Sequence, residues 1–463
     1  MKKIITSVLL LILVISLTAA LTSCGEPAYE KLPADERAIE LDKLSTEKME
    51  QAASYDAEIS GIASFKMNNI DVTADISGKQ QLLITELGAF MHIEEITEIT
   101  VMNTTEIAKS IRGFSNGKAY SSDIAGGKKS AFYSEMTYDE YTAYLSEDSS
   151  SISEFNAESA SEKTSVKRSD GGWSLVFEKF SDSAKADLAE NFKDILGDSE
   201  VTDVRISIVL DRDLYYKSFI MDLFFPDDSA FDEFAIKMDF SAVNAGTTEI
   251  AEIDFNDYTK VADIRVLDKL DDALNYVPEE GEKRSVTVTI SQHSVSNGNV
   301  SRAKEIDKIS YETVNGKLKY EINAEIPTNS NENYVISYED GTQTVAKYTP
   351  SGRLYNTSTK ESDDAFERAY ILGILNTVKY NRGVIKTMKV SEDTPNTYVL
   401  TCDVPEELMD TSSYKSATLT VIVTLDAEGD ISKIDSEVYI KASNLNTNTY
   451  TLTVVCDFSE VAE

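Results

Sequence analysis

Four stretches of this chain recur in the same order, 215 to 226 residues apart. Glu40-Leu41-Asp42-Lys43-Leu44 matches Val266-Leu267-Asp268-Lys269-Leu270, and each opens a helix-like stretch. Val204 to Asp211 matches Leu419 to Asp426, and Met238 to Val243 matches Cys456 to Val461. A fourth pair sets Trp173-Ser174-Leu175-Val176-Phe177 beside Tyr398-Val399-Leu400-Thr401-Cys402. A period this long indicates two copies of a whole domain rather than a solenoid of short units.

Each copy alternates apolar and polar residues, the signature of strands with one buried face. Val204, Ile206, Ile208 and Leu210 share one parity, as do Phe219, Met221, Leu223 and Phe225. In the second copy Leu318, Tyr320, Ile322, Ala324 and Ile326 do the same, as do Tyr450, Leu452, Val454, Cys456 and Phe458. Turn signals such as Asp426-Ala427-Glu428-Gly429-Asp430 separate the strands, and hairpins joined this way build antiparallel sheet. Helical spacing is confined to a few stretches. Residues 36–55 and 259–276 lead the two copies. Residues 183–197 carry an apolar stripe at Leu188, Phe192, Ile195 and Leu196, and residues 363–380 carry one at Phe366, Ala369, Tyr370 and Gly373. Residues 137–146 open on Thr137-Tyr138-Asp139-Glu140, a capping-box pattern. The Ser-rich run 149–169 reads as a loop. The expected fold is α+β: two tandem domains, 36–258 and 259–463, each a curved antiparallel half-barrel with helices packed on one face.

The start of the chain predicts where it works. Lys2 and Lys3 precede the apolar run Val8 to Ile15, which leads into Leu21-Thr22-Ser23-Cys24. A short cationic start, a short apolar stretch and small residues before the cut mark a secretory signal over residues 1–23. Leu-Thr-Ser-Cys resembles the lipobox of bacterial lipoproteins, which implies acylation of the Cys24 thiol. Residues 24–35 then form the lipidated start and a spacer. Helix first, strand meander, helices across one side: this order resembles bacterial envelope proteins of the LolA/LolB type and the mycobacterial LppX-type lipoproteins. The resemblance rests on element order, lipobox and alternation, so Cys24 is the one functional residue it transfers. It implies an open half-barrel whose space between sheet and helices can hold acyl chains.

Charge narrows the partners. Without its leader the chain has 42 basic and 80 acidic residues, a net charge of −38. Nucleic acid binding depends on neutralising phosphates with Lys and Arg, so nucleic acid is excluded as a partner. Anionic headgroups are repelled as well, leaving acyl chains on Cys24 as the membrane attachment. The protein partner is unknown.

Catalytic machinery is sparse. His92 and His293 are the only histidines. Neither stands in a metal-binding or triad arrangement. Gly126-Gly127-Lys128-Lys129-Ser130 lacks the upstream glycine of a phosphate loop and reads as a tight turn. Asp211-Arg212-Asp213 is too short for a calcium loop and reads as a hairpin turn. Cys402 and Cys456 lie on inward parities, and in a meander over 397–458 they stand three strands, roughly 14 Å, apart. That exceeds the roughly 7 Å reach of a disulfide, so two buried free thiols are expected. No cofactor and no enzymatic activity are expected.

Two functional readings remain. In the first, Ile206, Ile208, Phe219 and Met221 line a cavity for a hydrophobic or amphiphilic ligand, and the helix carrying Tyr138, Tyr141 and Tyr144 is its lid. In the second, the domains are solid and serve a structural or adhesive role. Tyrosines at helical spacing also fit plain packing. The stripe over 183–197 has no counterpart of its length after Val404, so the copies differ on the side where a ligand would sit. At most one copy is then expected to keep a pocket.

Overall fold

The computed structural model describes residues 28–50, 54–67, 70–85, 88–101, 104–125, 128–149, 157–191, 201–226, 231–241, 253–278, 281–326, 333–349, 351–409, 414–442 and 448–458. Cys24 and the leader lie outside these residues, as do Gly126 and Gly127 of the expected tight turn. The chain divides after Asp257 into two compact units.

The first unit opens with helix α1 (Ala34–Glu50) and continues through a meander. Its strands are β1 (Ser54–Met67), β2 (Ile70–Thr85), β3 (Gly88–Val101), β4 (Thr104–Ser115), β5 (Lys118–Ala125) and β6 (Lys128–Glu135). Helix α2 (Tyr138–Ser149) follows, then β7 (Ala160–Lys167), β8 (Trp173–Phe180) and helix α3 (Asp182–Asn191). Strands β9 (Asp203–Leu210), β10 (Tyr216–Phe224) and β11 (Phe231–Ser241) complete it. The strand order is β6-β5-β4-β3-β2-β1-β11-β10-β9-β8-β7, an open sheet in which the first and last strands lie side by side.

The second unit has a two-residue strand β12 (Thr259–Lys260) and helix α4 (Ile264–Asn275). Strands β13 (Lys283–Ser296), β14 (Asn299–Val314), β15 (Lys317–Glu325), β16 (Asn333–Glu339), β17 (Thr342–Tyr348) and β18 (Leu354–Glu361) come next. Helix α5 (Asp364–Leu375) then leads to β19 (Ile385–Val390), β20 (Thr397–Cys402), β21 (Tyr414–Leu425), β22 (Ile431–Ala442) and β23 (Thr449–Asp457). Its sheet runs β18-β17-β16-β15-β14-β13-β23-β22-β21-β20-β19, the first unit's order with twelve added to each strand number.

The recurring segments fall on equivalent elements. Leu41 and Leu267 lie on α1 and α4 and are fully buried. Trp173 and Tyr398 lie on β8 and β20, Ile206 and Val421 on β9 and β21, and Met238 and Cys456 on β11 and β23. One recurring aspartate has the same task in both units. Asp211 Oδ1 accepts from the backbone N–H of Tyr215 at 2.9 Å, and Asp426 Oδ1 from that of Asp430 at 2.8 Å. Each closes a hairpin, as expected for Asp211-Arg212-Asp213, because an aspartate side chain can take the place of a backbone acceptor in a turn. The turns at Asn116-Gly117 and Asn315-Gly316 carry positive φ at both residues, the geometry that suits the right-handed twist of paired strands.

Several boundaries differ from expectation. The second half of the Ser-rich run is strand β7, not loop. Its inward residues are only Ala160 and Ser165, so it shows no apolar alternation, and Ser165 Oγ donates to the Ala34 carbonyl at 2.7 Å. Part of the expected spacer is folded onto the unit: residues 28–31 form a 3₁₀ turn, and Tyr29 packs edge-on against Trp173 at 6.2 Å. In the stripe over 183–197, residues beyond Asn191 lie outside the described set. Past Val404 only the 3₁₀ turn Glu406–Leu408 appears among the described residues before β21. Cys402 and Cys456 are buried and free, on strands separated by β21 and β22, as expected.

Candidate functional site

The inward parity read for β9 and β10 holds. Ile206 and Ile208 are 1% exposed, Met221 5%, and Phe219 is partly buried against them. In cross-strand register Ile208 stands between Leu175 and Phe219, and Ile206 between Phe177 and Met221. These residues form one cluster with Trp173, Leu210 and the α1 residues Ala38 and Leu41. Helix α1 is held there by polar contacts as well. Tyr216 Oη donates to Asp42 Oδ1 at 3.0 Å and lies 3.2 Å from Thr46 Oγ1. Burial pushes the Asp42 carboxyl up to about 6, against the hydrogen bond from Tyr216. The wall that the sequence offers as a ligand surface packs in one cluster with Ala38 and Leu41 of the chain's own helix.

Tyr138 and Tyr141 belong to a different part of the unit. The capping box forms as read: the Glu140 N–H donates to Thr137 Oγ1 at 3.2 Å, and the Thr137 N–H donates to Glu140 Oε2 at 2.7 Å. This start sets α2 over β4. Tyr141 stacks on Phe114 with centroids 5.5 Å apart, and Tyr138 meets the same ring edge-on at 5.6 Å. Tyr144 lies 6.3 Å from Tyr141, while Tyr133 packs against Phe255 at 5.0 Å. So the six residues expected to share one site fall into two groups, four with α1 and two with Phe114.

The sheet face beneath Tyr141 changes character along its strands. One cross-strand row is Met91, Phe114, Ala119 and Ser134. The next row on that face is Gln80, Ile93, Arg112, Ser121 and Phe132, and the one after it contains Glu95, Ser110 and Asp123. Apolar surface thus gives way to polar surface within three rows. Three buried atoms here have no hydrogen-bond partner: Tyr141 Oη, Ser121 Oγ and Gln80 Nε2. Tyr141 and Gln80 are 1% exposed and Ser121 7%. Burial raises the Tyr141 hydroxyl above its ordinary value, opposed by Arg112. Burial also pushes Glu95 up to about 7, against a hydrogen bond from Thr97 at 3.2 Å and the charge of Arg112. Buried polar groups are normally satisfied, so each of these orphans calls for an explanation. Nearby, an open concavity of about 500 Å³ is bordered by Asn116, Lys118, Glu135, Thr137 and Glu140, and Tyr141 is not part of its lining.

The equivalent position in the second unit is closed. Helix α5 also follows its unit's sixth meander strand, and its N-cap Asp363 accepts from the N–H groups of Ala365 and Phe366. The fourth residue of α2 is Tyr141; the fourth of α5 is Glu367, which is fully buried. Tyr320 Oη donates to Glu367 Oε2 at 2.5 Å, Gln343 Nε2 donates to the same oxygen at 2.8 Å, and Ser362 Oγ donates to Oε1. Tyr320 and Gln343 belong to a row that crosses five strands: Arg284, Tyr311, Tyr320, Tyr338, Gln343. Neutral donors therefore solvate the Glu367 carboxylate on both of its oxygens.

Sequence reasoning missed the anchors of the leading helices. Arg382 reaches both Asp268 and Asp271 of α4, with Nε 2.5 Å from Asp271 Oδ2. Lys269 Nζ donates to the Gly429 carbonyl at 2.5 Å. The signal was present in the repeated Leu-Asp-Lys-Leu: its leucine is core in both units, and its aspartate anchors to Tyr216 in one and Arg382 in the other. Among the described residues no group of three or more His, Cys, Asp or Glu could hold a metal ion, and no helix is long and apolar enough to cross a membrane.

No family model matches this chain, and no curated protein matches it. Among solved structures, transferrin binding protein B from Haemophilus parasuis Hp5 aligns at 6% identity over 88% of this chain and 75% of its own, with a TM-score of 0.15. A porin-like protein from Bacteroides uniformis aligns at 10% identity over 87% and 95%, with a TM-score of 0.11. Pseudomonas aeruginosa OprD gives 7% identity over 87% and 94%, with a TM-score of 0.13. TM-scores this low establish no shared fold, and the chain stands on its own geometry.

Proposed function

We propose that this chain is an extracytoplasmic lipoprotein, anchored through acylated Cys24, that binds an amphiphilic ligand non-covalently beneath α2 of its first unit. The proposal includes tandem duplication of one domain resembling the LolA/LolB and LppX types, with the second copy turned into a solid module. The observation that carries it is the contrast at one helix position: Tyr141 has a buried hydroxyl without a partner, whereas Glu367 is fully satisfied. The rows below Tyr141 run from Met91 and Phe114 to Gln80 and Ser121, which suits a ligand with an apolar body and a polar end. Binding of this kind needs no catalyst and no cofactor.

A structural or adhesive role is the second reading, favoured by the filled cluster beneath α1. Titration with a dansyl-labelled fatty acid, on the chain carrying Cys24→Ser, separates the two. An unsatisfied buried hydroxyl destabilises a fold, so Tyr141→Phe and Ser121→Ala should each hold or gain stability. If those groups serve a ligand, each variant also weakens probe binding by roughly fivefold, the worth of one hydrogen bond. Stable variants with unchanged binding, or a wild-type chain that never saturates, would leave the structural reading standing.

A further inference from the structure

The start of the described chain is fixed to one end of the β7–β8 hairpin. Tyr29 packs edge-on against Trp173, Lys167 Nζ donates to Glu30 Oε1 at 2.7 Å, and Ser165 Oγ donates to the Ala34 carbonyl. Lys167 and Trp173 are cross-strand partners at the turn end of that hairpin, and β7 is the last strand of its sheet. Cys24 stands four residues before Ala28. Four extended residues span at most about 14 Å, so acyl chains on Cys24 hold this end of the hairpin within that reach of the bilayer. Because β7 ends the sheet, a tether of this length has access to both of its faces.

On β8 and β9, Leu175, Phe177, Ile206 and Ile208 face the cluster that contains Ala38 and Leu41, so the residues between them point to the opposite, outer face. At the tethered end that outer face carries two cross-strand rows without a charge. One row is Val166, Ser174, Val209 and Ser218; the next is Thr164, Val176, Ser207 and Ile220. None of the eight is buried, and Val166, at 59%, is the most exposed large apolar side chain among the described residues. The row after them is charged on every strand: Glu162, Glu178, Arg205 and Asp222. On β11 the uncharged rows run into Asp239 and Lys237, which bound the patch. Four apolar side chains set among four hydroxyls suit the interfacial layer of a bilayer. The apolar groups leave water, the hydroxyls meet headgroup oxygens, and no fixed charge loses its hydration. The short tether adds an effective concentration in the millimolar range, so a patch too small to bind alone docks once the chain is anchored. We infer that the outer face of β7 to β10 lies against the membrane that holds Cys24. This inference rests on the acylation of Cys24 in the proposed function and is independent of the ligand beneath α2.

The test uses the processed full chain, purified from the membranes of a bacterial host and reconstituted into phosphatidylcholine vesicles that carry doxyl-labelled lipid. A bimane reporter enters the patch through Val166→Cys or, in a second variant, Thr164→Cys. The reference reporter is Glu98→Cys on the outer face of β3, four strands beyond β10 in the sheet. All three positions are exposed, so the variants keep the fold, and the buried Cys402 and Cys456 stay unlabelled. Quenching by the doxyl lipid several-fold greater at Val166 and Thr164 than at Glu98 is expected. Ser207→Glu, in the middle of the patch, strips water from a carboxylate on docking and should lower the docked-to-free ratio by about fivefold or more. Lipid quenching at Val166 then falls and quenching by aqueous iodide rises. The mass of the N-terminal peptide separates the two ways to fail. A peptide without acyl groups refutes the anchor itself. An acylated chain quenched equally at all three positions, or unmoved by Ser207→Glu, overturns the docked face alone.

Discussion

Replacing Ile208 with alanine tests whether the inward wall of β9 and β10 is core. Ile208 is 1% exposed, stands between Leu175 and Phe219, and belongs to one cluster with Ala38 and Leu41 of α1. Truncations of this kind cost about 2–5 kcal/mol, less where the surroundings collapse into the space. Here both neighbours sit on strands held at about 4.8 Å by ladder hydrogen bonds, so collapse is restricted. The expected loss is therefore in the upper part of the range, about 3–4 kcal/mol. At about 2–4 °C per kcal/mol for a unit of this size, the melting temperature falls by roughly 6–16 °C. The assay is a urea titration followed by tryptophan fluorescence. The chain has a single tryptophan, Trp173, and it lies in the same cluster, so the signal reports on the first unit. A loss below about 1 kcal/mol with an unchanged m-value would refute the reasoning. It would mean that Ile208 borders space rather than packed atoms.

Three further outcomes follow from the anchors and thiols. Arg382→Leu strands the Asp268 and Asp271 carboxylates and should cost about 3 kcal/mol by circular dichroism melts, part of it recovered by adding Asp271→Asn. Asp42 binds its proton more tightly folded than unfolded, because burial raises it from 3.8 to about 6. Its contribution to stability is therefore greatest below pH 4 and is lost as pH rises through about 6, so Asp42→Asn should flatten that decline in urea melts at stepped pH. Burial pushes both Cys402 and Cys456 up to about 12, so with Cys24→Ser a thiol reagent should label no cysteine rapidly in the native chain and two after unfolding.

Much of the fold was legible because strand alternation and repetition are local properties of sequence. The parity of Val204 to Leu210 gave the buried face of β9, and the capping box of Thr137 and Glu140 gave the start of α2. Strand β7 was not legible, since a polar edge strand with only Ala160 and Ser165 inward has no periodic apolar signal. The grouping of the candidate site residues is not legible in sequence for a related reason. Parity states which way Ile208 and Tyr141 point within their own elements, but not which helix covers which part of a wide sheet. That Ala38 and Leu41 of α1 join the cluster of β8, β9 and β10 residues, while α2 stands over Phe114, depends on tertiary packing. Unsatisfied atoms such as Gln80 Nε2 are likewise invisible in sequence, because they are defined by what fails to surround them.

The most direct measurement of the central claim is native mass spectrometry of the secreted chain carrying Cys24→Ser, followed by organic extraction. The account predicts one discrete added mass per chain that extracts as an amphiphile and falls in occupancy in Tyr141→Phe. A bare mass, unchanged after incubation with membrane lipid extract, would contradict it and leave two solid modules at the membrane surface.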